Sequence, residues 1–278
     1  MIDTVVIAGK NDIACASLEF VRRHPINVLA LPNNTDDGID TWQRSFKKYA
    51  IDRGVKIITL EQAYSIPNSI FISCEYDKII KPKLFDHPDR LFNIHFSILP
   101  KYKGMYTSCL PILHGENESG VTLHKMDAGI DTGDVIDQST FDILENDVAL
   151  DLYKKYTDCA KCIFEKNFHK LLTDDGYTTY EQGSINSSYF SKNTLDFKNI
   201  SVDYRKTANE IKNQIHAFSF EPYQLPKYEN TPIYCAKILK TKSVGKIKDV
   251  IEETSDYIII NTIDYDIKLY KTRQLQDL

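Results

Sequence analysis

Three side chains in the middle of the chain, Asn93, His95 and Asp131, are of the types that acyl transfer to an amine requires. An amide N–H donates to a carbonyl oxygen as negative charge grows on it, has no acid–base behaviour of its own, and is worth about 3 kcal/mol per donor. An imidazole titrates near neutrality, so it takes a proton from the attacking nitrogen or polarises the carbonyl. A carboxylate orients that imidazole, supports its charged form and helps move the proton to the leaving group. Each residue alone has an ordinary reading, since strand histidines are commonly structural and asparagine at a strand start forms turns.

The elements that must position them follow from the pattern. Asn93 and His95 are two apart, so on one strand they share a face, and a strand ending at the carboxyl edge of a parallel sheet delivers both to one crevice. Strand-like runs at Thr4–Ala8, Asn27–Leu31, Val55–Thr59, Ser69–Ser73 and Asn93–Phe96 alternate with helical patterns from Asn11 or Asp12 through Arg23 and over 38–53. That alternation predicts an α/β fold, with right-handed βαβ units and a Rossmann-like, mainly parallel sheet. Two β-rich runs, Val121–Met126 and Asp134–Ile143, flank an acidic loop holding Asp127, Gly129, Asp131, Gly133 and Asp134. Its carboxylates read either as turn formers or as an incidental cation site. The glutamate at the twelfth position and the flanking helices of a calcium loop are missing, so no metal is expected. The glycines let the loop bend tightly.

The longest helix is expected over 147–173, followed by a polar connector. A smaller α+β unit then has a helix at 207–218 and strands at 233–239, 257–262 and 267–270. The expected organisation is residues 1–175 as a catalytic domain, 176–199 as connector and 200–278 as a small C-terminal domain. So short a unit buries little core of its own, which points to docking or to a homodimer.

The net charge is −5 over 278 residues and no stretch is strongly basic, which argues against a nucleic-acid partner. No leader peptide and no run of ~20 apolar residues is seen, so a cytoplasmic protein with no membrane partner is expected. The six cysteines lie mostly in apolar runs, as reduced thiols do. Cys159 and Cys162 form a C-x-x-C inside a helical pattern, without the second pair or histidines of a zinc site.

The run Asn93-Ile-His95-Phe-Ser-Ile98-Leu-Pro100, with Lys101-Tyr-Lys-Gly104, Gly120-Val-Thr and Asp127-Ala-Gly129-Ile-Asp131-Thr-Gly133-Asp134, resembles the formyltransferases that use 10-formyltetrahydrofolate. Their signature is N-x-H-x-S-L-L-P, a basic glycine-containing loop, G-V-T, then D-x-G-x-D-T-G-D; Ile98 is the one replacement. The family includes enzymes acting on methionyl-tRNA, glycinamide ribonucleotide and nucleotide-linked amino sugars. The resemblance implies that Asn93, His95 and Asp131 are the catalytic trio. It also implies that the folate co-substrate lies against Tyr76, Asp77, Lys78 and Ile79, and against Asp127, Gly129 and Asp131.

The loop Met105-Tyr106-Thr107 departs from the small Ala-Ala-Pro turn of the tRNA branch, and glycinamide ribonucleotide enzymes lack a second unit. The resemblance is thus to sugar-nucleotide N-formyltransferases, which implies a nucleotide-sugar partner and, from that loop, preference for dTDP-4-amino-4,6-dideoxyglucose ahead of a 3-amino sugar or GDP-perosamine. The product would serve surface polysaccharide. Lys10, Asn11, Asp12 and Lys78 are candidates for the diphosphate and sugar, with Asn11 or Asp12 equally readable as helix caps. Met105, Tyr106, Phe220, Tyr223 and Gln224 are candidates for sugar or base, with the aromatics equally readable as core. The competing readings are another amine acceptor, a formyltetrahydrofolate hydrolase, and a folate-binding module without catalysis.

Overall fold

The computed structural model describes residues 2–173, 176–221 and 223–273. Pro222 and the last two residues of the expected catalytic domain, Asp174 and Asp175, therefore lie outside the described residues. The chain divides into two compact units. The first is Met1–Gly104, Gly120–Thr140 and Tyr156–Tyr189, and the second is Met105–Ser119, Phe141–Lys155 and Phe190–Leu278.

In the first unit β1 (Thr4–Gly9) is buried along its whole length, as a strand covered on both faces must be. It pairs in parallel with β2 (Asn27–Pro32) and β3 (Ser69–Cys74), and β3 pairs in parallel with β4 (Leu91–His95). Two further strands, β5 (Glu118–Lys125) and β6 (Val135–Asp142), complete the sheet in the order β2-β1-β3-β4-β5-β6, with β5 antiparallel to β4. The expected mainly parallel sheet is present. One face is packed by Val6, Ala8, Leu31, Phe71, Phe85 and Leu91. Elsewhere in this unit Phe20 of α1 (Asn11–Val21) meets Phe164 and Phe168 of the long helix edge to face, at 5.9 and 5.4 Å between centroids.

Two local expectations change. The helix expected over 38–53 is only α2 (Phe46–Asp52), because Asp36 and Asp40 compete for the backbone before it. Asp36 accepts from Gly38 N, Ser45 Oγ and Lys47 N, Asp40 accepts from Ser45 N, and Ser45 caps the helix. The run Val55–Thr59 makes only a single bridge, Ile57 to Ala30, before Thr59 starts a one-turn helix with a capping box. The long helix, α3 (Ala149–Leu171), stands where expected.

The second unit contains α4 (Ala208–Phe218) and a four-stranded antiparallel sheet of β7 (Cys235–Lys242), β8 (Val250–Glu253), β9 (Tyr257–Ile260) and β10 (Tyr265–Tyr270), ordered β7-β10-β9-β8. β8 is an exposed, acidic edge strand without apolar alternation, which is why the sequence pattern did not announce it. No helix among the described residues is long and apolar enough to cross a membrane.

Candidate active site

β4 ends at His95, and its register against β5 sets Asn93 opposite His124 and His95 opposite Thr122. Asn93 Nδ2 donates to Asp131 Oδ1 at 3.0 Å and lies 3.1 Å from His124 Nε2. His95 Nδ1 is 3.4 Å from Asp131 Oδ2, and its Nε2 donates to the Tyr102 carbonyl at 2.8 Å. The trio legible in the sequence is thus one hydrogen-bonded cluster, with Asp131 at its centre and His124 as a fourth member 3.6 Å from Asp131 Oδ1.

Asp131 reaches this position through a left-handed backbone, at φ 55°, a conformation that aspartate tolerates better than bulkier residues. The acidic loop around it is closely built. Asp127 Oδ1 accepts from Gly129 N at 2.9 Å and Thr132 Oγ1 at 2.6 Å, and any Cβ on Gly133 would run into the Lys125 carbonyl. Gln182 Nε2 donates to the carbonyls of both Asp131 and Gly133, at 2.9 and 2.8 Å. From the other side Gly104, at φ 88°, donates its N–H to Asp131 Oδ2 at 2.8 Å. Ser188 fixes the loop that carries Gly104: Tyr102 N donates to its Oγ and Lys103 N to its carbonyl.

Burial alone would push the Asp131 carboxyl up. The neighbouring His95 and His124 rings and the Gly104 N–H together outweigh it and hold the carboxyl well below the usual carboxylate range. Asp131 is therefore an anion throughout the neutral range, and a proton placed on His95 Nδ1 would lie directly against it.

The other candidates separate by surroundings. After β3, Tyr76 packs edge to face on Phe71 at 6.3 Å, and burial pushes its hydroxyl up to about 12. Asp77 N donates to Asn33 Oδ1 at 3.4 Å, Lys78 is exposed, and Ile79 is 69% exposed, an unusual setting for so apolar a side chain. At the β1–α1 turn Lys10 takes the N-cap position without a side-chain cap bond. Asn11, at φ 62°, donates instead to Glu75 Oε2, and Asp12 pairs with Arg44, so neither residue makes the cap that its type suggests.

In the second unit Met105 is exposed, whereas Tyr106 Oη donates to the Lys192 carbonyl and its ring packs on Phe197 at 5.1 Å. Phe220 is buried against Tyr153, which makes it core, and Tyr223 stacks on its outer side while remaining 68% exposed. Gln224 closes a tight turn with Phe220 through two backbone hydrogen bonds.

Sequence reasoning passed over His124, Gln182 and Ser188. For His124 a signal existed: Gly120, Thr122 and His124 alternate along one strand, which places them on a common face. Gln182 and Ser188 lie in a polar stretch whose pattern distinguishes a clamp from a linker in no way.

A sequence model of the formyl transferase family matches residues 35–166. The fold matches the crystal structure of WlaRD, a sugar 3N-formyl transferase solved in the presence of dTDP and 5-N-formyl-THF. The TM-score is 0.89, with 44% identity and coverage of 99% of this chain and 100% of that one. It matches equally the N-formyltransferase of Helicobacter canadensis in complex with folinic acid and dTDP-3-aminofucose, with a TM-score of 0.87, 42% identity and coverage of 97% and 99%. A 4-N formyltransferase from Francisella tularensis, at 19% identity, a TM-score of 0.67 and coverage of 81% and 91%, shares the fold. Methionyl-tRNA formyltransferase of Borrelia recurrentis is 26% identical over 84% of this chain and 82% of its own. The chain belongs to the formyltransferase family and groups within it with the sugar N-formyltransferases.

Proposed function

We propose that this enzyme transfers the formyl group of 10-formyltetrahydrofolate to the amine at carbon 3 of a dTDP-linked 3-amino-deoxyhexose. The observation that carries the acceptor class is the full-length likeness, above 40% identity, to two sugar N-formyltransferases, whose structures hold dTDP in one case and dTDP-3-aminofucose in the other. The 3-amino position is placed ahead of the 4-amino preference that the Met105-Tyr106-Thr107 loop suggested, because of the two relatives above 40% identity one is a sugar 3N-formyl transferase and the other is in complex with dTDP-3-aminofucose.

The chemistry follows from the cluster. The unprotonated amine attacks the formyl carbon, a carbon–nitrogen bond forms to the sugar, and the bond to the folate nitrogen breaks. One proton leaves the amine and one reaches the folate nitrogen, so the exchange balances without an oxidant or reductant. The Asn93 amide is the donor for the oxygen on which charge grows. His95 holds the tautomer set by its Nε2–H bond to Tyr102, so the neutral ring keeps its lone pair on Nδ1, facing Asp131. A proton taken up there is stabilised by the adjacent carboxylate. Exposed Ile79 and the Asp127–Asp131 loop offer an apolar surface and backbone groups for the pterin, and Lys10 and Lys78 offer charge for the diphosphate.

The test is mass spectrometry of the purified protein incubated with 10-formyltetrahydrofolate and a panel of dTDP- and GDP-linked 3-amino and 4-amino deoxyhexoses. A gain of about 28 Da, one added CO, on the dTDP-3-amino sugars is expected for nucleophilic transfer of a formyl group. Gain on the 4-amino sugars alone overturns the position. Folate deformylation without any formylated sugar favours the hydrolase, and transfer to methionyl-tRNA alone overturns the sugar reading.

A further inference from the structure

Asn93 has two amide hydrogens, and in this structure both point at acceptors: Asp131 Oδ1 at 3.0 Å and His124 Nε2 at 3.1 Å. The amide cannot be turned over, because its oxygen would then face the Asp131 carboxylate. His124 is itself fixed. It is 2% exposed, and its Nδ1 lies 2.7 Å from the Lys125 carbonyl. A carbonyl only accepts, so Nδ1 carries the hydrogen and Nε2 presents its lone pair to Asn93.

We propose that His124 is a positioning residue for formyl transfer, holding one Asn93 amide hydrogen at the place from which it is handed to the oxygen of the reacting formyl group. Of the two bonds Asn93 makes, the one to Asp131 is charge-assisted and the stronger. The hydrogen on the neutral imidazole is the one released as the oxygen becomes negative, while the bond to Asp131 keeps the amide in register. His124 sits directly across the β4–β5 pair from Asn93, so the sheet itself sets this geometry. The proposal rests on the formyl-transfer reading of the trio and leaves open which sugar accepts.

Two variants and one spectrum test it. His124→Leu removes the acceptor and should lower kcat about 100-fold, the range of a lost oxyanion-hole donor, with KM for both substrates within about 3-fold. His124→Gln keeps an acceptor oxygen near the Nε2 position and should recover kcat to within roughly 5-fold of the parent enzyme. Equal losses in the two variants, or losses confined to KM or to melting temperature, would overturn the proposal. Nitrogen-15 NMR of the unliganded parent enzyme should show His124 as the Nδ1–H tautomer, and the Nε2–H tautomer would overturn the proposal by itself. The spectrum needs no substrate, so it decides the matter even if the leucine variant fails to fold. It also separates failure of this proposal from failure of the functional reading, which would appear as absent turnover in the parent enzyme.

Discussion

Buried histidines in the two units share an anchor and differ in company. In the first unit His95 and His124 are each tied to a backbone carbonyl, of Tyr102 and Lys125, and lie 3.4 and 3.6 Å from the Asp131 carboxylate. In the second unit His216 is also tied to the main chain. Its Nδ1 donates to the Asp147 carbonyl at 3.1 Å and its Nε2 accepts the Ala236 N–H at 3.1 Å. The Asp147 carboxylate is used elsewhere, by Leu144 N and Lys155. Burial, helped by the Lys212 charge, pushes the His216 pKa down to about 4, and the Ala236 and Asp147 carbonyls and the Asp147 charge only partly oppose it. A carboxylate set directly against the ring makes an imidazole suited to handling protons; a ring held between main-chain groups is a pin between segments.

The sharpest way to break this contrast is at the carboxylate. Asp131→Ala should lower kcat about 1,000-fold, equivalent to about 4 kcal/mol of transition-state stabilisation, with KM changed less than about 3-fold. His95→Asn should cost roughly 100- to 1,000-fold in kcat with the same KM pattern. Near-normal turnover in either variant, measured with the sugar that accepts formyl, would remove the cluster from the mechanism.

The second unit should answer to pH instead. The folded-state pKa of His216 lies below the ~6.5 of a free imidazole, so the fold favours the neutral ring. Its contribution is fully present above about pH 6.5 and is lost as pH falls towards 4, by about 3 kcal/mol in all and roughly 2 kcal/mol by pH 5. Asp131, held below the usual carboxylate range, contributes nothing to that window, because its own stabilisation is lost only at still lower pH. Urea unfolding of the full chain at pH 7 and pH 5 should show the loss, and His216→Gln should flatten it. An unchanged slope in that variant would mean that the acid sensitivity resides in other groups.

A smaller effect is expected at Gln182, which holds the carbonyls of Asp131 and Gly133. Gln182→Leu should slow turnover about 10-fold by loosening the loop while leaving every member of the cluster in place. Turnover equal to that of the parent enzyme would show that the loop holds Asp131 without this clamp.

Asn93, His95 and Asp131 were legible because short-range spacing carries them: a two-residue step on a strand, and a dense turn of Asp and Gly. The sheet was legible for a related reason, since β1 to β4 are runs short enough and apolar enough to be buried. His124 was half-legible, its face given by alternation but its partner given only by cross-strand register. What the sequence concealed depends on contacts far along the chain. Ser188 reaches back to Tyr102 and Gln182 to Asp131, and polar residues in an irregular segment look alike whether they hold something or nothing. The misread helix over 38–53 has the same root, because the pattern of apolar residues does not show that Asp36 and Asp40 will take the backbone N–H groups.

The contrast between groups with and without charge partners extends to the thiols of the C-x-x-C. Cys159 and Cys162 are free, and Cys159 Sγ donates to the Ser139 carbonyl at 3.6 Å. Burial pushes the Cys159 thiol up, the Ser139 side chain lowers it by less, and the neighbouring Cys162 adds to the rise. A thiol kept protonated in this way is neither a nucleophile nor a ready metal ligand, since both roles need the thiolate. Serine keeps the donor and loses only the larger, softer atom. Cys159→Ser should therefore leave kcat within about 2-fold and KM unchanged, with a small cost in melting temperature from the slightly smaller side chain. Lost activity, or zinc released by the parent protein but not by the variant, would show that a buried group can be functional here without the carboxylate that defines the histidine site.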